Sequence, residues 1–411
     1  MKLLRLILIL ILSLTAYASA FNIDGSLATS YEVSKNEGES SEGLWENYLS
    51  IDNAKLLDPY LGLTFYGRYS YDESIQEDYT DIYSAYLDYS SFQKALEVRI
   101  GRFSYIANRF LTLDGAQVTF RTDFMLGATA FAGVPEYYDS DGRHINESFR
   151  DTGDRLYGAK VFLNGVKDTT GFISYSKEEE DDVTFQEMLG LGAGYRFNVS
   201  DISLHANGSM QYDMDSGVIY KGAAKLHMKY GKLRVNTDFI TYNVKDGSTY
   251  EDELIISNFS SGKQDKYALY VQYDVTKNIA PYWSAVYSRM EMGSGLISKG
   301  EIYKLGSEFN YFKEFGIISG LEGYIYSSDI SNAKGGSFDI DWSVTRAFRM
   351  NFESEMLRVE QSFEEKTIYS LYLRAEYDLL KDFTISVYAE NNQETRYLPE
   401  NRYGLKAVYS F

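Results

Sequence analysis

The feature that most constrains this chain is an alternation of polar and apolar side chains that returns along most of its length. Residues 218–230 show it clearly, because the odd positions carry charge at Lys221 and Lys225 while the even positions carry none. A period of two is the spacing of a β-strand, whose successive side chains point to opposite faces. The pattern therefore predicts strands that each have one polar and one apolar face.

The connections between these segments are short and long in turn. Ten short turns alternate with eleven longer, more polar segments, which predicts 22 antiparallel strands in up-and-down order. The alternation is weakest at 44–56, 170–177 and 337–345, so the sequence leaves a count of 20 strands open. An even count returns both ends of the sheet to the same side.

Two all-β architectures share this alternation, a soluble sandwich and a transmembrane barrel. A sandwich of about 100 residues would have to repeat along the chain, and the sequence contains neither such repeats nor linkers. Short turns on one side and longer loops on the other are typical of transmembrane β-barrels. We therefore predict an all-β fold, an antiparallel up-and-down transmembrane β-barrel.

The position of the charges predicts which face of each strand is the inner one. A charged side chain on the lipid face near the bilayer midplane costs about 2 to 4 kcal/mol. Lys221 and Lys225 are therefore expected to point into the barrel, and the interior is expected to be wet.

The last nine residues, 403–411, carry their aromatic and aliphatic side chains mainly on one face, at Tyr403, Leu405, Tyr409 and Phe411. This segment resembles the closing strand of bacterial outer-membrane β-barrels, which typically ends in Phe after other apolar residues at alternate positions. The resemblance implies an outer-membrane β-barrel porin, and a barrel-assembly machinery that acts through this C-terminal strand.

The amino end predicts export. Lys2 and Arg5 precede an apolar run at 6–14, and Ala18-Ser19-Ala20 forms a small-residue cleavage site, so residues 1–20 read as a signal peptide. Residues 21–411 are then a single barrel domain without a plug. Export and a barrel together predict the outer membrane of a Gram-negative bacterium, in contact with its lipid and lipopolysaccharide.

Composition excludes several classes of protein. The formal net charge of −19 makes nucleic acid an unsuitable partner. The absence of cysteine excludes a lipoprotein anchor and a covalently attached c-type haem on this chain. With 38 tyrosines and only 4 prolines, the chain suits long strands with amphipathic side chains at a bilayer interface.

A basic island stands out in this acidic chain at Arg99, Arg102 and Arg109. Arg99-Ile100-Gly101-Arg102, followed by Asp114-Gly115, resembles a strand pair of several bacterial porin families, in which the intervening loop often folds into the pore. The resemblance implies that Arg99 faces the lumen and that Arg102 and Arg109 lie at or near a constriction, where they attract anions. The alternative is that these arginines only balance neighbouring acids on the inner wall.

An acidic group is expected on another part of the wall. Asp339 and Asp341 share the inward face of one predicted strand, and Glu353 and Glu355 share that of the next. In a barrel of 22 strands this sector lies eight to fourteen strands from Arg99. Opposed charge sectors produce a transverse field that orients polar solutes.

These features predict a porin that passes small hydrophilic solutes or ions by passive diffusion through a charged, water-filled lumen. The three histidines, His144, His205 and His227, lack a metal-ligand spacing, so no enzyme, metal or cofactor is predicted.

Barrels of this size are commonly plugged, which leaves an alternative open, a sheath around a secreted multihaem cytochrome. The sequence leaves the solute, the width of the pore and the choice between monomer and trimer open.

Overall fold

A computed structural model describes most of the chain. The described residues are 24–36, 41–55, 60–106, 110–123, 125–136, 154–180, 183–244, 262–292, 297–310, 312–329, 331–361, 364–394 and 400–411. The predicted signal peptide and Arg109 lie outside them. Within these ranges no helix has the length and hydropathy needed to cross a membrane.

The described chain folds into one antiparallel sheet of 22 strands, in which each strand pairs with its neighbours in the sequence. The count and the up-and-down order confirm the prediction, including the three segments with weak alternation, which form β2, β9 and β18. The strands are β1 (Asp24–Asn36), β2 (Glu42–Lys55), β3 (Leu61–Asp72), β4 (Glu77–Ser90), β5 (Leu96–Ile106), β6 (Phe110–Arg121), β7 (Leu126–Glu136), β8 (Arg155–Leu163), β9 (Thr169–Glu180), β10 (Val183–Val199), β11 (Ile202–Asp213), β12 (Val218–Tyr230), β13 (Leu233–Val244), β14 (Gly262–Tyr273), β15 (Ile279–Met292), β16 (Ile297–Phe309), β17 (Ile317–Ser328), β18 (Ser331–Ser343), β19 (Phe348–Gln361), β20 (Glu364–Leu380), β21 (Phe383–Glu394) and β22 (Glu400–Ser410).

The sheet closes into a barrel through its first and last strands. β22 pairs with β21 on one side and with β1 on the other, in a register that runs from Ser26↔Ser410 to Asn36↔Glu400. Next to the Ser26↔Ser410 pair, Gly25 and Phe411 exchange two backbone hydrogen bonds of 2.9 Å each. The predicted closing strand therefore occupies the seam, and closure leaves no edge strand unpaired.

The outer face of the barrel is apolar and uncovered. Leu305, Leu321 and Ile325 point outward and are 67%, 56% and 60% exposed. In a soluble sandwich the apolar face of each strand would be buried against a second sheet. Here the larger aliphatic side chains face away from the protein, so the fold requires an apolar surrounding.

The two ends of the barrel differ. The ten connections that begin after even-numbered strands define the turn end, and three of them, 200–201, 231–232 and 381–382, are only two residues long. The opposite end, called the loop end here, has two long connections, 137–154 and 245–261. It differs from the prediction of long loops at 178–185, 329–336 and 359–366. Most residues of these three segments belong to the ladders β9–β10, β17–β18 and β19–β20, because main-chain hydrogen bonds form regardless of how polar the side chains are.

Candidate functional site: the inner wall of the barrel

The register of the strands assigns every described strand residue to the inner or the outer face. On β12 the alternation places Lys221, Lys225 and His227 inside, as predicted, and Leu226 and Met228 outside. Near the loop end a register shift between Gln211 and Tyr212 adds one residue to β12, and the alternation is restored around it. The inner faces of all 22 strands together form the candidate site.

One part of this inner wall is basic. Across β10–β14 the inner face carries a group of cations and imidazoles with few acids between them, namely Arg196, His205, Lys221, Lys225, His227, Lys229, Arg234 and Lys266. The rings of His205 and His227 stack with centroids 6.1 Å apart, and Lys221 lies over the ring of Tyr242 at 5.1 Å. Over the described ranges, neither Lys221 nor Lys225 forms an ion pair within 4.0 Å, although Lys225 stands opposite Asp238 in the register of β12 and β13.

Another part of the wall is acidic. Asp339 and Asp341 lie on the inner face of β18, and Glu353 and Glu355 lie on that of β19. Asp339 stands directly opposite Glu353 in the register, a like-charge pair that costs stability unless it is compensated. Glu322 on β17 adds to this group, although Lys304 neutralises part of its charge at 2.7 Å.

The order of the strands keeps the two groups apart. β12 and β1 are eleven strands apart in either direction, so the basic residues of β12 face Glu32 on β1 and Glu390 on β21 across the barrel. The predicted acidic residues on β18 and β19 lie eight or nine strands from Arg99 by the shorter route. The acidic residues on β18 and β19 thus lie far from Arg99 along the wall, but Arg99 itself stands opposite Asp88 in the register of β4 and β5. The orientation of solutes by opposed charge sectors stays a prediction.

Arg99 lies on the inner face of β5. Its guanidinium is 4.5 Å from the ring of Tyr86 and 5.7 Å from that of Phe103, distances typical of cation–π contacts. Among the described residues it makes no ion pair. It lines a cavity of about 470 Å³ near the turn end, together with Asp88 and Gln117.

Arg102 does not lie where the sequence analysis expected it. Arg99 and Arg102 are three positions apart, an odd number, so the alternation of β5 sends the second arginine to the outer face. There it forms a bidentate pair with Asp114, with two contacts of 2.6 Å, and lies 3.2 Å from the buried Glu136. The lumen-facing position predicted for Arg102 is therefore corrected to a structural ion cluster on the outer face.

The inner wall is not polar throughout, which corrects the expectation of a uniformly wet interior. Phe103, Leu113, Phe131 and Leu156 form a cluster on the inner faces of β5–β8 and are at most 5% exposed, with Tyr86 packed against them. The sequence of β7 contained a signal for this apolar cluster. Small residues, Ala130 and Ala132, occupy the outer face on either side of Phe131, so the larger apolar side chain is on the inner face. The assumption that apolar residues point outward concealed it.

A second ion cluster is built into the inner wall between β2 and β4. Arg68 donates from Nε and Nη2 to Asp81 at 3.1 and 2.8 Å, and its Nη1 lies 3.5 Å from Glu46. The side chains of Arg68 and Asp81 are only 9% and 3% exposed. This cluster stabilises the wall, because each buried charge has a partner.

The described residues include no group of three or more His, Asp or Glu side chains placed to hold a metal ion. The inner wall carries charged, aromatic and apolar side chains.

Comparison with known proteins bears on the fold only. No known protein family and no curated protein matches the sequence. Among solved structures, OccK2 (OpdF) of Pseudomonas aeruginosa in complex with glucuronate is 10% identical, with a TM-score of 0.45 over 95% of this chain and 98% of that chain. The outer membrane protein OpdK of the same organism is 11% identical, with a TM-score of 0.47 over 95% and 98%. The translocation pore of the P pilus usher PapC is 10% identical, with a TM-score of 0.52 over 94% of this chain and 99% of that chain. The chain is thus similar in fold to the barrel of the usher pore.

Proposed function

We propose that this protein is a porin of the bacterial outer membrane, through which small hydrophilic solutes or ions diffuse passively. The observation that supports it best is the combination of a closed barrel, an exposed apolar outer face and a charged inner face. An apolar outer face suits lipid, and a charged inner wall suits water. Lipopolysaccharide at the loop end and an assembly machinery acting on β22 belong to the same proposal.

Selection among solutes in such a channel would come from the division of the inner wall into a basic part and an acidic part. Basic residues on β10–β14 and acidic residues on β17–β19 and β21–β2 produce a field across the lumen, which is strongest where the walls exclude bulk water. A solute with separated positive and negative groups would be oriented by this field. Arg99, Lys221 and Lys225 are the cations that we expect to contact anions or carboxylates.

The first test is conductance of the purified chain in planar lipid bilayers. Steady ohmic steps are expected without any other protein, because the barrel is closed and its wall is charged. The absence of steps from correctly folded protein would contradict the proposal. Erratic openings together with co-purification of a haem protein would instead favour the sheath around a cytochrome.

Charge reversal on the basic part of the wall tests selection. Lys221→Glu with Lys225→Glu is expected to shift the reversal potential toward cation preference, on the order of 10 mV of the roughly 59 mV that a tenfold salt gradient allows. The physical reason is that carboxylates attract cations into the lumen where ammonium groups had attracted anions. The matched control is Lys334→Glu, the same change on the outer face of β18, which should leave selectivity unchanged. Equal shifts in both variants would contradict the assignment.

A further inference from the structure

Several aromatic side chains of the inner wall lie flat across a glycine of the next strand. Tyr282 lies across Gly306, Tyr324 across Gly335 and Tyr388 across Gly404. A methyl group built on Gly306, Gly335 or Gly404 would lie 2.4, 2.9 or 2.1 Å from the nearest atom of the phenol, which is closer than van der Waals contact. Each ring therefore occupies the space that the glycine leaves open, a known way to cover glycine in a sheet.

The hydroxyl groups of these three tyrosines reach one strand further. Tyr282 donates to Glu322 at 2.8 Å, Tyr324 donates to Glu355, and Tyr388 donates to Glu32. Each arrangement, called a Tyr-Gly-Glu unit here, thus spans three neighbouring strands. The unit of Tyr388, Gly404 and Glu32 crosses the seam at which the barrel closes.

Phenylalanines occupy the corresponding positions on the other side of the barrel. Phe162 covers Gly127, Phe131 covers Gly158 and Phe172 covers Gly192, as the overlap of each ring with an added methyl group shows. Phenylalanine has no hydroxyl group, so these rings hold no carboxylate. In the described part of the wall, the units that end on glutamate are confined to the acidic side.

Two physical consequences follow for a channel. A ring pressed against the wall leaves the lumen wider than a ring that projects into it. A glutamate that accepts a hydrogen bond from a phenol is held in one orientation, and Lys304 adds a second contact to Glu322 at 2.7 Å. Both effects require the glycine, because a side chain there would displace the ring.

We propose that the three Tyr-Gly-Glu units set the width of the channel and position the carboxylates with which its acidic side selects solutes. This inference rests on the proposed porin function and names the residues that determine its bore. Gly306, Gly335 and Gly404 act indirectly, as positioning residues for the rings. Glu32, Glu322 and Glu355 are the groups that face the solute.

Gly404→Ala is the sharpest test, because the three nearest atoms to the added methyl group all belong to the Tyr388 ring and none to the backbone. The ring must leave the wall, so single-channel conductance is expected to fall. In the double variant Gly404→Ala with Tyr388→Ala, the obstructing ring is absent and conductance should return to the wild-type value or above it. The matched control is Gly323→Ala on the outer face, where the nearest atom to the new methyl is 3.9 Å away.

The hydroxyl group is tested separately by Tyr388→Phe. This variant keeps the ring across Gly404 and releases Glu32, so conductance should stay at the wild-type value while ion selectivity changes. Folding of every variant is checked by heat-dependent migration in detergent gels. The proposal is overturned if folded Gly404→Ala conducts like wild type, or if removing the Tyr388 ring does not restore a reduced conductance. A wild-type protein that does not conduct would refute the porin function itself, which is a different result.

Discussion

Arg68→Met is expected to destabilise the barrel by about 3 to 5 kcal/mol, the cost of leaving a buried charge without its partner. Arg68 binds Asp81 through two nitrogen atoms at 2.8 and 3.1 Å, and the side chain of Asp81 is only 3% exposed. Methionine fills a similar volume but donates no hydrogen bond, so the carboxylate of Asp81 would lose both contacts with the guanidinium while it stays buried. The free energy of unfolding in urea, measured for barrels refolded into lipid vesicles, reports the loss.

The control for Arg68 is a solvent-exposed pair on the same face. Arg234 and Asp274 lie 2.9 Å apart, but the side chain of Arg234 is 46% exposed. Because water screens such a pair, Arg234→Met should cost at most about 1 kcal/mol. In the double variant Arg68→Met with Asp81→Leu, both charges are absent and much of the stability should return. Equal losses for the Arg68 and Arg234 variants would contradict the assignment of a buried cluster.

Removal of residues 403–411 is expected to abolish the closed barrel. The deletion takes away most of β22, which pairs with β21 and with β1. Both neighbours would then expose unpaired main-chain N–H and C=O groups, which in lipid find no water to bind. We expect aggregation in place of the heat-modifiable monomer when the truncated chain is refolded into detergent or vesicles.

Removal of Phe411 alone is the graded control for that deletion. It eliminates the two backbone hydrogen bonds with Gly25, at about 1 kcal/mol each, together with the contact between the rings of Phe411 and Tyr409, whose centroids are 6.1 Å apart. The ladders of β22 remain, so the barrel should close with reduced stability. A truncated chain that still forms a compact, heat-modifiable barrel without residues 403–411 would contradict the role of β22 at the seam.

The fold could be predicted from the sequence to an unusual extent, because the signal is local. A strand that separates lipid from water must alternate with a period of two, and the chain shows this even at β2, β9 and β18, where the alternation is weakest. The positions at which strands end were predicted less accurately than the number of strands. The ladders β9–β10 and β19–β20 continue through segments expected to be loops, since polar side chains do not interrupt backbone pairing.

The alternation along each strand also predicted the face of most site residues correctly. The structure places Lys221, Lys225 and Arg99 on the inner face, with Asp339, Asp341, Glu353 and Glu355 on a separate part of the wall. Arg102 was misassigned because a likeness to porin motifs took precedence over its odd spacing from Arg99. For Arg109 the position near a constriction stays a prediction, because it lies outside the described residues.

By itself the sequence determined the period of two and the up-and-down order of the strands, and it indicated the face of each charge wherever the alternation along one strand was followed, as at Lys221 and Lys225. Only the tertiary structure decided which residues meet across strands. Tyr388 and Glu32 are 356 positions apart in the chain and become partners across Gly404 when the barrel closes. Such contacts depend on the register between strands and on the closure of the sheet, and no local pattern of side chains encodes them.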